Sequence, residues 1–351
     1  MAKMNLGIIG FGFMGHCDAD MMATFPDDEI RLVAVADTDP KQLEDAPEGV
    51  IRCSSAEELL KIDEINVVMI STPNPSHLEM VVKSARAGKN IICEKPAAMN
   101  VAQFDEMVKV TEECGVLFTV HQQRRWDKDF RIMKEVYDRR VVGDMYVIKS
   151  QLYGFNGNMH DWHVYPEMGG GMLYDWGVHL IDQILWMVDS EIDSVYADLR
   201  NVINEKVDDY FNILVKFKNN VTAEIELGTY YLTPKRAWFI GGNKGSAMID
   251  DFDGSGKIVR TAHLLENVPG KITMTAAGPT RSFGPAAPGL LTEEPLPEVD
   301  VSHRMYFEHF LKALSGEEEI IVKPAQVRRV LAFMEAVRES ARTGEAVRFE
   351  H

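Results

Sequence analysis

Residues 4–15 read Met4-Asn-Leu-Gly-Ile-Ile-Gly10-Phe11-Gly12-Phe13-Met14-Gly15. A short apolar run ends in three glycines spaced G-x-G-x-x-G, and a helical pattern follows. The first glycine allows a tight turn between strand and helix. The second lets a pyrophosphate approach the backbone, and the third lets helix and strand pack closely. The free N–H groups at the start of the helix suit an anion. Asp37 ends the next apolar run, 22 positions beyond Gly15. A carboxylate there accepts both ribose hydroxyls and repels a 2′-phosphate. Thr38-Asp39-Pro40 follow without an Arg. The motif therefore points to NAD rather than NADP, held by residues 10–15, Asp37 and Thr38. The competing reading is a Gly-rich turn and a strand-end acid with no ligand. Strand, turn, helix and acid in register favour the dinucleotide.

Further apolar, β-rich runs lie at 30–37, 65–72, 90–96 and 115–120. Near-continuous runs of this kind suit strands covered on both faces, as in a parallel sheet. Helical stretches separate them. Ala19, Met22 and Phe25 share one helical face, and Ser55 with Glu58 spells a capping box. Asn74-Pro75 offers a helix start, Gly88 a stop and Asn100 another cap. Strand alternating with helix predicts a doubly wound α/β domain over residues 1–121.

Beyond it the pattern changes, and residues 122–351 read as a second α/β domain. Helices are expected at 128–141 and 172–188, with a strand at 145–154. Phe211, Ile213, Val215 and Phe217 alternate with polar residues, as do Val221, Ala223, Ile225 and Leu227. Asn219-Asn220 suits the hairpin turn between them. This is an antiparallel sheet with one face packed. Residues 266–299 are rich in Pro, Gly and Ala and read as a long surface loop. Helices at 303–314 and 324–342 close the chain.

The 351 residues carry 37 Lys and Arg against 54 Asp and Glu, a formal charge of −17. The acids are spread along the chain. That field argues against nucleic acid and anionic membranes as partners. No apolar run reaches the ~20 residues of a membrane span, and a strand begins almost at the first residue, leaving no room for a signal peptide. Cys17, Cys53, Cys93 and Cys114 form no C-x-x-C pair, which fits reduced thiols in a cytoplasmic protein.

Two segments carry chemistry. Cys93-Glu94-Lys95-Pro96 ends the run at 90–96, at the sheet edge where such folds bind ligands. Gly169-Gly-Gly-Met-Leu-Tyr-Asp175-Trp-Gly-Val-His179-Leu-Ile-Asp182 opens a helix with Asp175 and His179 four apart, on adjacent faces. Alone, Lys95 is a solvated loop lysine and the acid–histidine pair a helix surface; together they suggest a site. Pro96 offers a cis bond that would aim Lys95 inward. His160-Asp161-Trp162-His163, with Asp175, His179 and Asp182, allows a metal reading. Hydride transfer to NAD needs no metal, so none is expected.

These residues resemble the Gfo/Idh/MocA oxidoreductases, the family of glucose–fructose oxidoreductase and inositol dehydrogenase. The resemblance covers nearly the whole chain. It rests on the glycine motif, Asp37, Ser71-Thr72-Pro-Asn74 with His77, Glu94-Lys95-Pro96, Gln123-Arg-Arg125-Trp, Asp161-Trp162, and Gly169 through His179. It implies an N-terminal Rossmann domain followed by a C-terminal α/β domain with a large, open, mainly antiparallel sheet, often used for oligomerisation. It implies Lys95, Asp175 and His179 as the catalytic set. It implies Ser71, Thr72, Asn74, His77, Glu94, Lys95 and Gln123 on the cofactor. Lys95, Arg125, Asp161, Trp162, His163, Asp175 and His179 are then expected on the substrate, with Asp175 either holding His179 or binding substrate. Two positions depart from the family pattern: His163 stands where many members have Arg, and Gln123 where they have Asn. Both bear on the substrate.

The expected activity is NAD-dependent hydride transfer to or from a carbinol of a sugar, glycoside or polyol. An NAD-dependent glycosidase on the same scaffold and a non-catalytic sugar or NAD sensor are the alternatives. Strand 221–227, with apolar residues on one face, and the nearby Tyr230-Tyr231 suggest an uncovered face. Such patches mark interfaces, so a homodimer or homotetramer is expected.

Overall fold

The computed structural model describes residues 3–154, 161–261, 272–281 and 289–349. Strand and helix alternate through the first third of the chain. β1 (Met4–Ile9) and α1 (Phe13–Met22) flank the glycine turn. β2 (Ile30–Ala36), β3 (Ile51–Cys53), α2 (Ala56–Leu60), β4 (Val67–Ile70) and α3 (His77–Arg86) follow, then β5 (Asn90–Cys93), α4 (Val101–Cys114) and β6 (Phe118–Val120). The six strands form one sheet in the order β3-β2-β1-β4-β5-β6, every neighbouring pair parallel. β4 is buried along its whole length, as a strand covered on both faces must be. The order reverses between β1 and β4, and that switch opens a crevice above their C-terminal ends. β3, three residues at the sheet edge, is too short for a periodic signal and escaped the sequence reading.

Local signals explain most helix ends. Asn100 accepts the N–H of Gln103 at 2.9 Å, and Ser55 accepts that of Glu58. Asn74-Pro75 instead makes a single 3₁₀ turn before α3, and Asn74 turns its amide to the carbonyl of Gly169.

The second sheet has nine strands. The elements in order are α5 (Lys128–Asp138), β7 (Met145–Tyr153), α6 (Val178–Met187), β8 (Ile192–Arg200), β9 (Tyr210–Phe217), β10 (Thr222–Gly228), β11 (Trp238–Gly242), β12 (Gly245–Ile249) and β13 (Gly256–Thr261). β14 (Ile272–Thr275), β15 (Gly278–Arg281), β16 (Leu291–Glu294), α7 (Arg304–Leu314), α8 (Pro324–Thr343) and β17 (Val347–Arg348) complete them. The strand order is β16-β13-β12-β11-β7-β10-β9-β8-β17, antiparallel except for the β7–β10 pair. The hairpin turn falls where Asn219-Asn220 placed it, with Asn220 at φ 68°.

Three expectations change. The segment 266–299 is not all loop: among its described residues β14 and β15 form a ribbon, and β16 extends the large sheet. The helix expected at 172–188 begins as a π-helical turn, Leu173–Gly177, before α6. The apolar face of β10 is not uncovered. Ala223, Ile225 and Leu227 are buried, with Ile213 and Val215 of β9 on the same side, and α6 and α8 pack against that side of the sheet. The outward face is largely polar, with Lys149 paired to Glu224 and Lys235 to Glu226, although Tyr196 and Leu214 stand exposed on it. The apolar face of β10 is thus covered within the chain and gives no ground for an assembly.

One buried ion pair ties the chain after β6 to the second domain. Arg125 is 1% exposed, and its Nε and Nη2 donate to the two oxygens of Asp182 on α6, each at 2.7 Å. Its Nη1 donates to Gln326 of α8 and to the carbonyl of Ile321. Each nitrogen of the fork is engaged, which is what makes a buried pair tolerable. Arg125→Ala strands the Asp182 carboxylate without its partner. It should cost roughly 3–5 kcal/mol of stability, read by denaturant unfolding; a loss below about 1 kcal/mol would contradict this account.

Candidate active site

The C-terminal ends of the parallel strands step along one edge of the first sheet: Gly10 after β1, Asp37 after β2, Ser71 after β4, Glu94 after β5 and His121 after β6. Above this edge lies a cleft of about 960 Å³. Its walls run from Asp37 and Thr38 past Gly10, Gly12, Phe13, Met14, Ser71, Thr72 and Asn74 to Glu94, Lys95 and Gln123. At that end it meets Arg124, Trp162, His163, Asp175, Trp176 and His179 of the second domain.

At the Asp37 end the loop is braced by hydrogen bonds. Asp37 accepts the backbone N–H of Phe11 through one oxygen and that of Asp39 through the other, both at 2.8 Å. The Phe11 side chain is buried against His16, so only its backbone serves the loop. A methyl group on Gly15 would lie 2.3 Å from the Gly10 carbonyl oxygen, so only glycine packs there. On Gly12 it would meet nothing within 4 Å, so this turn leaves open space facing the cleft. Farther along the wall, Gln123 Oε1 is buried without a partner. An open glycine turn at a helix start, an acid at the ribose position and an orphaned acceptor fit a dinucleotide.

At the other end Lys95, after β5, reaches across to the π-helical turn. Its Nζ donates to the Asp175 carboxylate and to the Asp175 carbonyl, each at 3.0 Å. The Lys95–Pro96 peptide is cis. Asp175 thus holds Lys95, not His179: the π-turn breaks the α-helical phase that a four-residue spacing assumes. His179 is held by Gln122, whose Oε1 lies 3.1 Å from Nδ1. With Nδ1–H donating there, Nε2 carries the lone pair on the ring's other edge. Burial, then the Lys95 and Arg124 cations, push the His179 pKa well below the ordinary range, so the ring is neutral at pH 7.

Other residues fall elsewhere than expected. His77 is fully buried, one ring nitrogen on the Pro96 carbonyl and the other on that of Thr72, and it does not line the cleft. It fastens the Thr72 loop to the turn after Lys95. Arg125 is committed to Asp182 and away from any substrate. Asp161 is exposed and off the wall, while Trp162 and His163 stack at 3.7 Å on it. His160 lies outside the described residues; Asp175 and Asp182, its proposed companions around a metal, are taken by Lys95 and Arg125.

Two residues were missed. Gln122 carries no sequence signal beyond its neighbour Gln123. Arg124, rather than Arg125, faces the cleft, propped over the Trp176 ring at 4.1 Å and clamped to Asp127 at 3.0 Å. No helix among the described residues is long and apolar enough to cross a membrane.

Comparison with known proteins agrees with this geometry. Residues 4–122 match the model of an oxidoreductase family with an NAD-binding Rossmann fold, and 130–248 match the GFO/IDH/MocA C-terminal domain. A solved NAD-binding protein from Listeria innocua superposes with a TM-score of 0.91 at 33% identity, over 99% of this chain and 100% of that one. The uncharacterized oxidoreductase YdgJ of Escherichia coli is 25% identical over 97% of each chain. Myo-inositol 2-dehydrogenase of Thermotoga maritima is 26% identical over 64% of this chain and 68% of its own. The chain belongs to the Gfo/Idh/MocA oxidoreductase family, with an NAD-binding Rossmann domain followed by that family's C-terminal domain.

Proposed function

We propose that the protein is an NAD-dependent dehydrogenase acting on a carbinol of a sugar, glycoside or polyol. The observation that carries this reading is the meeting of Lys95 and His179, from different domains, at one end of a cleft whose other end holds Asp37. A bound nicotinamide dinucleotide supplies the hydride acceptor. The chain supplies the rest. His179, kept neutral, takes the hydroxyl proton on Nε2 while Gln122 fixes the tautomer. Lys95, steered by Asp175, directs a charged N–H toward the oxygen that becomes more negative as the C–H bond breaks. Trp162 and His163 offer flat faces to the C–H surfaces of a sugar or polyol ring, and Arg124 offers donors to its hydroxyls. The myo-inositol 2-dehydrogenase relative supports a polyhydroxylated substrate.

Asp37 supports NAD over NADP, because a 2′-phosphate would press against a carboxylate already anchored by two backbone N–H groups. Calorimetry with both nucleotides should give at least about tenfold tighter binding of NAD, the equivalent of ~1.4 kcal/mol. Asp37→Ala should narrow the gap. Tighter binding of NADP by the unaltered protein would refute the assignment.

A screen of sugars, polyols and glycosides with NAD, followed by nicotinamide absorbance, should reveal the substrate. On it, His179→Ala and Lys95→Ala should each lower kcat by at least about 10²-fold with NAD affinity near wild type. Asp175→Asn should cost less than Lys95→Ala, since it loosens the lysine without removing it. Full turnover by His179→Ala would rule out the base assignment; full turnover by both would place the chemistry elsewhere.

A further inference from the structure

Beneath the Lys95 end of the cleft lie three buried ionisable groups that the proposed chemistry does not use. Asp18 on α1 is 2% exposed, Glu94 after β5 4%, and His121 after β6 4%. Glu94 Oε1 meets His121 Nδ1 at 2.5 Å, and its Oε2 accepts the Lys95 N–H at 3.1 Å. Asp18 accepts the Ser71 hydroxyl at 2.9 Å and stands 3.8 Å from the same His121 nitrogen. Their ligand atoms lie close enough together to hold an ion. An ion bound at roughly 2.0–2.2 Å would, however, spread its ligands to about 3 Å or more. The 2.5 Å contact is that of a hydrogen bond between Glu94 and His121.

We propose that Asp18, His121 and Glu94 sense the charge of the bound nicotinamide ring, holding one extra proton when the ring is reduced and neutral and releasing it when the ring is oxidised and cationic. This rests on the reading above, that the nicotinamide end of a dinucleotide lies over β4 and β5, where Glu94 and Ser71 line the cleft.

The cluster has two carboxylates and one imidazole. Burial opposes a charge on Glu94, but His121 and then Lys95 outweigh it and hold that carboxyl low. Burial likewise opposes the His121 cation, which Glu94 and Asp18 restore. The pair is therefore His121⁺ with Glu94⁻, and Asp18 carries the variable charge. Burial first, and then the Glu94 charge, raise the Asp18 carboxyl to about 7, against the pull of His121 and the Ser71 hydroxyl. Burial raises the thiols of Cys17 and Cys93 and the Tyr306 phenol from α7, and it lowers His77 from α3 and His179 from α6. Lys95 is paired with Asp175.

A cation arriving on the cleft side of Glu94 favours the ionised form of Asp18. The carboxyl O–H bond breaks, its electron pair stays on oxygen, and the proton leaves to solvent. By linkage, affinity for NAD⁺ rises with pH through the region of 7, whereas affinity for NADH does not. The cluster thereby sets which redox form the protein holds.

Titration of the intact protein with NAD⁺ and NADH between pH 6 and 8 tests this. One linked proton permits at most about tenfold per pH unit, and we expect NAD⁺ affinity to rise at least about fivefold over the range while that for NADH changes less than about twofold. Asp18→Asn, which keeps an acceptor for Ser71, should flatten the NAD⁺ response. Calorimetry of the unaltered protein in buffers of different ionisation heat should show about half a proton released per NAD⁺ at pH 7 and almost none per NADH. Equal pH responses for the two nucleotides, an unchanged response in Asp18→Asn, or no proton release would overturn the proposal while leaving the cofactor reading intact. Binding of neither nucleotide would overturn both.

Discussion

The ion pair between Lys95 and Asp175 spans the seam between the two sheets, and the end of the cleft where Lys95 meets His179 is organised around it. The lysine comes from the edge of a parallel sheet and the acid from a π-helical turn in the second domain. Because Asp175 uses both its carboxylate and its main-chain carbonyl, the ammonium is fixed by two contacts instead of one. The pair is partly exposed, at 15% and 25% of the two side chains. Its contribution to stability is therefore modest. Its consequence is positional: one cation is held beside the His179 ring, where it helps burial to keep that ring neutral.

Around this pair the protein buries further charged groups. Arg125 and Asp182 lock the chain after β6 to α6, and Glu94 is hydrogen-bonded to His121 under the cleft floor. The arginine fork is held by hydrogen bonds, the condition under which buried ions are tolerable, whereas the His121 ring is bonded at Nδ1 and its buried Nε2 has no partner among the described residues. The two differ in kind. The arginine fork has a fixed charge and serves as a rivet. The carboxylate–imidazole cluster contains an acid, Asp18, that burial and the Glu94 charge raise to about 7, and it lies against the cleft through Glu94.

What the sequence made legible follows from backbone physics. The glycine turn, Asp37 and the hairpin at Asn219-Asn220 are dictated by sterics within a few residues, and such signals survive folding. The parallel sheet showed in its apolar runs. The direction of a long side chain does not show in this way. Arg124 and Arg125 are adjacent and alike, yet one faces the cleft and the other is buried on Asp182. Asp175 and His179 looked like partners because a regular helix was assumed; one π-turn assigned them to Lys95 and Gln122 instead. Gln122 and Asp18 had no signal of their own, since their meaning lies in neighbours far along the chain. The β-structure between 256 and 294 was hidden by its Gly- and Pro-rich surroundings.

The proposed chemistry requires Lys95 and His179 to flank the reacting carbon. A crystal structure of the complex with NADH and a polyol is the decisive measurement. The nicotinamide C4 should face the space between Lys95 Nζ and His179 Nε2, with a substrate oxygen within about 3.2 Å of both. A nicotinamide turned away from that space, or a polyol held by neither side chain, would contradict it.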